Sequence, residues 1–132
     1  MYLWALAVAG VVVVAAAILE TLRSSSARRG ALLATARPSG EPYILYFTGE
    51  GCTVCRTHQE PAIARLANVR VEKVDAIADR ELADRFHVYT LPTTVVMSAG
   101  GQALHVNYGY APAPKLERQL AEARAKLSAV TA

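Results

Sequence analysis

Cys52 and Cys55 are the only cysteines in 132 residues, and two residues separate them. Thiols this close cannot staple distant parts of a chain, so their value lies in reactivity or in metal binding. They follow a strand-like run, Tyr43-Ile44-Leu45-Tyr46-Phe47, and open a stretch with helical periodicity. That arrangement builds a dithiol able to cycle to a disulfide. Cys52 is expected at the helix N-terminus, where free N–H groups and the positive end of the dipole stabilise a thiolate. Its pKa is then expected to fall from about 8.5 toward the ~3.5–7.5 range of such sites. Cys55, about a turn further in, is expected to be less exposed and to attack the mixed disulfide that Cys52 forms. Arg56 adds positive potential beside the sulfurs, and Glu50 opposes it through water. His58, three residues after Cys55, is placed to tune the inner sulfur or to act as a ligand. His87 and His105 read as structural or exposed.

The elements that must position this pair alternate between strand and helix. Tyr43 to Phe47 is a compact apolar run of the kind found in buried parallel strands. Cys55 to Ala67 is expected as a helix carrying Ile63, Leu66 and Ala67 on one side. Val69 to Val74 is expected as a strand with Val69, Val71 and Lys73 on one face. Asp79 to Phe86 reads as a short helix, capped by Asp79, with Leu82 and Phe86 at i, i+4. Thr93–Ser98 and Gln102–Tyr108 flank Gly100-Gly101, a hairpin signal. After Pro112-Ala113-Pro114, the residues Leu116, Leu120, Ala123, Leu127 and Val130 form one helical stripe. The order β-α-β-α-β-β-α predicts an α/β fold, a central mixed sheet flanked by helices.

These residues resemble the thioredoxin superfamily, from Tyr43 to the C-terminal helix. The C-x-x-C stands at the end of the first strong strand, and Leu91-Pro92-Thr93 stands where that family has its cis-proline loop, directly before the hairpin. Lys73 lies in the intervening strand and Gly109 follows the last one. The resemblance implies a thioredoxin-like fold, a cis bond at Leu91-Pro92, and a backbone edge there that pairs with an extended substrate. It makes Cys52 the nucleophile, Cys55 the resolving thiol, Leu91 and Pro92 the substrate-binding residues, and Lys73 a neighbour of the rear of the site. Thr93 reads as a strand residue. The chain departs from the pattern in four places. Tyr46 occupies the strand position of a buried acid thought to relay a proton for the second cysteine, and a free tyrosine titrates near ~10. Gly51 replaces a tryptophan, Thr53-Val54 separates the cysteines, and Pro61 falls one place later than usual. These changes bear on redox potential and partner and argue against assuming strongly reducing behaviour.

Leu3 to Leu19 contains no charged residue. As a helix it spans about 26 Å, near the lower limit for crossing a hydrocarbon core. Having no polar face, it cannot lie on the surface of a small domain. Tyr2 and Trp4 suit one interface, and Arg23 can snorkel at the other. A cleaved signal peptide competes with this reading, with a small-x-small site at Ser25-Ser26-Ala27. The chain lacks its basic n-region, however, and the site lies past the apolar run. Residues 1–22 are therefore expected to be a transmembrane anchor, 23–41 a linker containing a short helix or docked strand within Gly30–Ala36, and 42–132 the thioredoxin-like domain.

The formal net charge is +3, and Arg23, Arg28, Arg29 and Arg37 all follow the apolar run. The positive-inside rule then puts the domain in the cytoplasm, the extracytoplasmic side being the alternative. The arginines are not interleaved with aromatics, so no nucleic-acid partner is indicated. The leading expectation is a membrane-tethered thiol–disulfide oxidoreductase with protein disulfide or dithiol substrates and a separate electron donor or acceptor. It needs no cofactor and is assigned no metal. A specialised relative acting on exported cytochromes would require an extracytoplasmic domain. The competing class is a non-catalytic zinc-binding or redox-sensing module, in which both cysteines and two of the three histidines complete a tetrahedral site. No second pair lies at a usual finger spacing.

Overall fold

The computed structural model describes residues 1–131. Helix α1 (Tyr2–Leu32) precedes β1 (Tyr43–Thr48), a π-helical turn (Cys55–Gln59) that runs into α2 (Glu60–Ala64), and β2 (Arg70–Asp75). Then come α3 (Arg80–Arg85), β3 (Thr93–Met97), β4 (Ala103–Tyr108) and α4 (Ala113–Thr131). The strands form one mixed sheet in the order β2-β1-β3-β4. β1 runs parallel to β2 and antiparallel to β3, which is antiparallel to β4. This is the thioredoxin-like arrangement expected from the sequence.

All six residues of β1 are buried because the sheet is covered on both faces. Tyr43, Leu45 and Phe47 join Val95, Met97, Phe86 and Ala31 in one cluster. Ile44 and Tyr46 face the other way, with Val96, Cys55, Leu120 and Ala123. The strand's period of two thus divides one apolar run between two cores, and the inner cysteine belongs to the second. In α3 the Asp79 side chain accepts from Leu82 N at 3.2 Å, capping the helix as expected. Phe86 then packs its ring 5.9 Å from that of Phe47.

The tail helix follows its predicted stripe only in part. Leu116, Leu120 and Ala123 are buried, whereas Val130 is 84% exposed. Nineteen helical residues reach about 28 Å and a six-residue strand about 20 Å, so the last turn runs past the sheet.

The largest difference from expectation lies in residues 23–41. Helix α1 does not end at the apolar run; it continues to Leu32, where Ala31 is fully buried. The Ser-rich segment does not break it, and the Thr21 and Ser25 hydroxyls each donate to the carbonyl four residues earlier, at 2.8 Å. Beyond Leu33 the chain pairs briefly with the hairpin: Thr35 bridges Gln102, and Ala36 N donates to Gly101 O at 2.8 Å. Across Gly30–Ala36 the chain passes from the last turn of α1 to one bridge pair at Thr35.

Gly101 has φ +87°, and a Cβ there would lie 2.3 Å from the Ala36 carbonyl oxygen. A backbone oxygen held by pairing cannot swing away. Gly101→Ala is expected to destabilise the domain by about 2 kcal/mol, read as a lowered midpoint in urea with unchanged slope. A midpoint equal to that of the unmodified chain would mean that the 33–40 segment contributes nothing to stability.

Candidate functional site

β1 delivers the chain to Thr48, and Gly49-Glu50-Gly51 carries it round to the cysteines. Cys52 N donates to Gly49 O at 3.2 Å and Cys55 N donates to Cys52 Sγ at 3.2 Å. The outer sulfur thus receives an N–H at the start of the helical segment, the arrangement that favours a thiolate once the bond is reduced. The two cysteines are joined as a disulfide, with Cα atoms 5.3 Å apart. Cys52 is partly exposed and Cys55 is fully buried.

The next segment is not the regular α-helix that the sequence pattern predicts. Residues 55–59 form a π-helical turn, and Glu60 N–H donates to Cys55 O, five residues back. Pro61 has no N–H to return to the Thr57 carbonyl, the bond an α-helix would make there. The wider turn closes its hydrogen bond from i+5 to i, where an α-helix would close it from i+4, and so re-aims the residues that follow. This geometry brings in two residues that sequence reasoning missed. Gln59 is fully buried, and its amide pairs with both backbone groups of Ala111: Nε2 donates to Ala111 O at 3.0 Å, and Ala111 N donates to Oε1 at 2.9 Å. Glu60 accepts from the Tyr46 hydroxyl at 3.3 Å and forms an ion pair with Lys73 at 3.2 Å.

An acid therefore does stand beside Tyr46, supplied by the helix rather than by the strand. Burial pushes the Tyr46 phenol above its ordinary value, chiefly by desolvation, so it stays protonated and donates throughout the physiological range. The parallel register sets Tyr46 opposite Lys73, and Glu60 reaches both. Glu60, Lys73 and Arg56 line a cleft of about 360 Å³ with Thr48, Gly49, Glu50 and Asp75.

The other sequence-predicted residues are placed as follows. The Leu91–Pro92 bond is cis, and Pro92 is buried at the start of β3. Leu91 packs against the cluster containing Cys52 and Cys55, and its Cδ1 lies where a Cβ on Gly49 would be 3.0 Å away. Gly109 N donates to Pro92 O at 2.8 Å, tying the end of β4 to the same loop. Arg56 turns back to donate to Glu50 O at 2.7 Å, bracing the loop that precedes Cys52. His58 pairs with the Thr57 hydroxyl at 2.8 Å and meets the Tyr110 ring edge-on at 5.9 Å. Its partners are thus a hydroxyl and a ring rather than a sulfur. His105 lies 2.9 Å from Glu122. Among the described residues, no three His, Cys, Asp or Glu side chains are grouped to hold a metal ion.

Comparison with known proteins places this geometry in context. A family profile described as a thioredoxin-like domain matches residues 30–124. Its start falls inside the last turn of α1, where the helix enters the core. Thioredoxin of Fasciola hepatica is 25% identical, with 81% of this chain and 92% of that chain covered and a TM-score of 0.55. The germline-specific thioredoxin Deadhead of Drosophila melanogaster is 26% identical, with 63% and 81% covered and a TM-score of 0.55. A mutant thioredoxin from Halobacterium salinarum shares the fold at 21% identity, with 63% and 74% covered and a TM-score of 0.56. No curated protein matches the chain. With its mixed sheet, its Cys52–Cys55 pair at the end of β1 and a profile match over most of its length, the chain belongs to the thioredoxin-like family.

Proposed function

We propose that this protein is a membrane-tethered thiol–disulfide oxidoreductase acting on protein disulfides or dithiols. The observation that carries the reading is the asymmetry of the pair: a partly exposed Cys52 at the helix start above a fully buried Cys55. Only the outer sulfur can be reached by a partner in line, so Cys52 is the attacking thiol and Cys55 the resolving one. Leu91 and Pro92, on the neighbouring loop, offer the backbone edge against which an extended substrate lies. Arg56 and Lys73 line a cleft with Glu50, Glu60 and Asp75, and Arg56 also holds the Glu50 loop in place.

The tether is α1. It contains an apolar stretch of 18 residues, none of it buried in the fold. Apolar side chains exposed all round a helix call for a lipid environment. Arg23, Arg28, Arg29 and Arg37 favour the cytoplasmic side for the domain, and a reporter fused at the C-terminus tests that orientation.

Two measurements test the redox reading. The reduced full chain in detergent is expected to exchange with a model protein disulfide well above the uncatalysed thiol rate. Brief alkylation with iodoacetamide at neutral pH is expected to label Cys52 before Cys55. Exchange at the background rate would sink the oxidoreductase reading, and equal labelling would sink the division of roles.

A further inference from the structure

The direction in which α1 leaves the domain determines what the redox site faces. β4 starts beside the end of α1, where Ala103 N donates to Ala34 O at 3.4 Å and Thr35 bridges Gln102. It finishes beside an earlier part of the helix, where the Tyr108 hydroxyl lies 3.4 Å from Ala27 O. Between these points Gly30 is pressed against His87, and a Cβ there would fall 2.5 Å from the imidazole Nε2. The end of α1 therefore runs antiparallel to β4. Two antiparallel steps across the sheet make β4 run in the same direction as β1. The end of the sheet past which α1 departs, going back toward Met1, is thus the end carrying Cys52 and Pro92. The Gly109–Pro92 hydrogen bond joins the two directly.

The helix has no break between Tyr2 and Leu32. Glu20, the first charge after the apolar run, precedes Ala27 by seven residues, about 10 Å of helix. With α1 in a bilayer, the redox edge faces the membrane across a gap of about that size. A folded domain about 30 Å across does not fit into it, whereas an extended strand, occupying about 5 Å, does. The side chains exposed on this edge suit an interfacial position. Ile77, Tyr89 and Tyr110 are 75%, 73% and 47% exposed, and tyrosine favours the headgroup level.

We propose that the substrate of this site is a cysteine pair in a membrane protein, held on an extended segment at the bilayer surface. This rests on the proposed function, both its redox and its membrane parts. In the exchange a partner thiolate attacks Cys52 Sγ, the Cys52–Cys55 bond breaks, and Cys55 leaves as the thiolate. The partner's second thiolate then attacks the partner's first sulfur in the mixed disulfide, the partner's own disulfide forms, and the Cys52 thiolate is expelled. Two electrons have passed from partner to domain, and the reverse sequence returns them.

The test uses the oxidised full chain in phosphatidylcholine nanodiscs with two reduced single-span peptides. One carries its cysteine pair four residues beyond the apolar span, the other beyond a rigid helical spacer about 30 Å long. The near peptide is expected to exchange about tenfold faster or more, because only it shares the confined volume of the site. Inserting twelve Gly/Ser residues between Ser24 and Ser25 is expected to erase that preference. Equal rates for the two peptides, a faster far peptide, or a preference that survives the insertion would each overturn the proposal. So would failure of both peptides while a small soluble dithiol still exchanges, which leaves the oxidoreductase reading standing. Failure of the soluble dithiol as well removes that reading too.

Discussion

Cys52→Ser is expected to lower thiol–disulfide exchange by roughly 10³-fold or more, to the level of uncatalysed thiol chemistry. The remaining sulfur, on Cys55, is fully buried, and a partner disulfide cannot align with it. Cys55→Ser is expected to fail differently. Cys52 still attacks, but no second thiolate follows, so the covalent adduct with the partner accumulates. On a non-reducing gel the adduct appears as a shifted band that excess reductant removes. Because the Cys55 position is apolar and enclosed, Cys55→Ala provides the same experiment without burying a hydroxyl. Adduct trapped by Cys52→Ser rather than by the Cys55 variants would reverse the assignment of roles.

The second large effect concerns stability. Gln59→Leu keeps the volume of a fully buried side chain but removes the amide that satisfies Ala111. Ala111 is itself fully buried, so its N–H and C=O are left without partners or water. Each unsatisfied group costs roughly 1–3 kcal/mol, about 4 kcal/mol together. For a domain of this size that is a fall in Tm of about 20 °C, measurable by thermal unfolding followed by circular dichroism. A fall of less than a few degrees would show that the connection before α4 finds other partners. The clamp also holds the loop carrying Tyr110, whose ring meets His58, so loss of stability and loosening of the site edge are expected together.

Much of the fold was legible because it rests on local pattern. The apolar run at Tyr43–Phe47, the Asp79 cap, the Gly100-Gly101 turn and the stripe through Leu116, Leu120 and Ala123 each have a local cause, and each appears in the structure. The failures share a different cause. Val130 lies on the right stripe, but α4 outlasts the sheet it packs on, a matter of relative length. The Ser-rich segment after Leu22 reads as a linker by composition. It is helical, with the Ser25 hydroxyl bonded within the helix and the last turn buried against the domain. Gln59 and Glu60 escaped notice because α-helical spacing was applied to a stretch that winds as a π turn ahead of Pro61.

The pairing of Cys52 with Cys55, the strand before them, the Leu91-Pro92 loop and the apolar N-terminal run are properties of residue type and short spacing, and they were readable directly. Which acid reaches Tyr46 and which way the anchor helix leaves the domain depend on contacts between residues far apart in the chain. Tyr108 with Ala27, Tyr46 with Glu60 and Gln59 with Ala111 meet only when sheet, π turn and stalk are packed together. No local periodicity encodes those meetings. Packing alone decided that the disulfide lies at the end of the sheet from which the apolar helix departs.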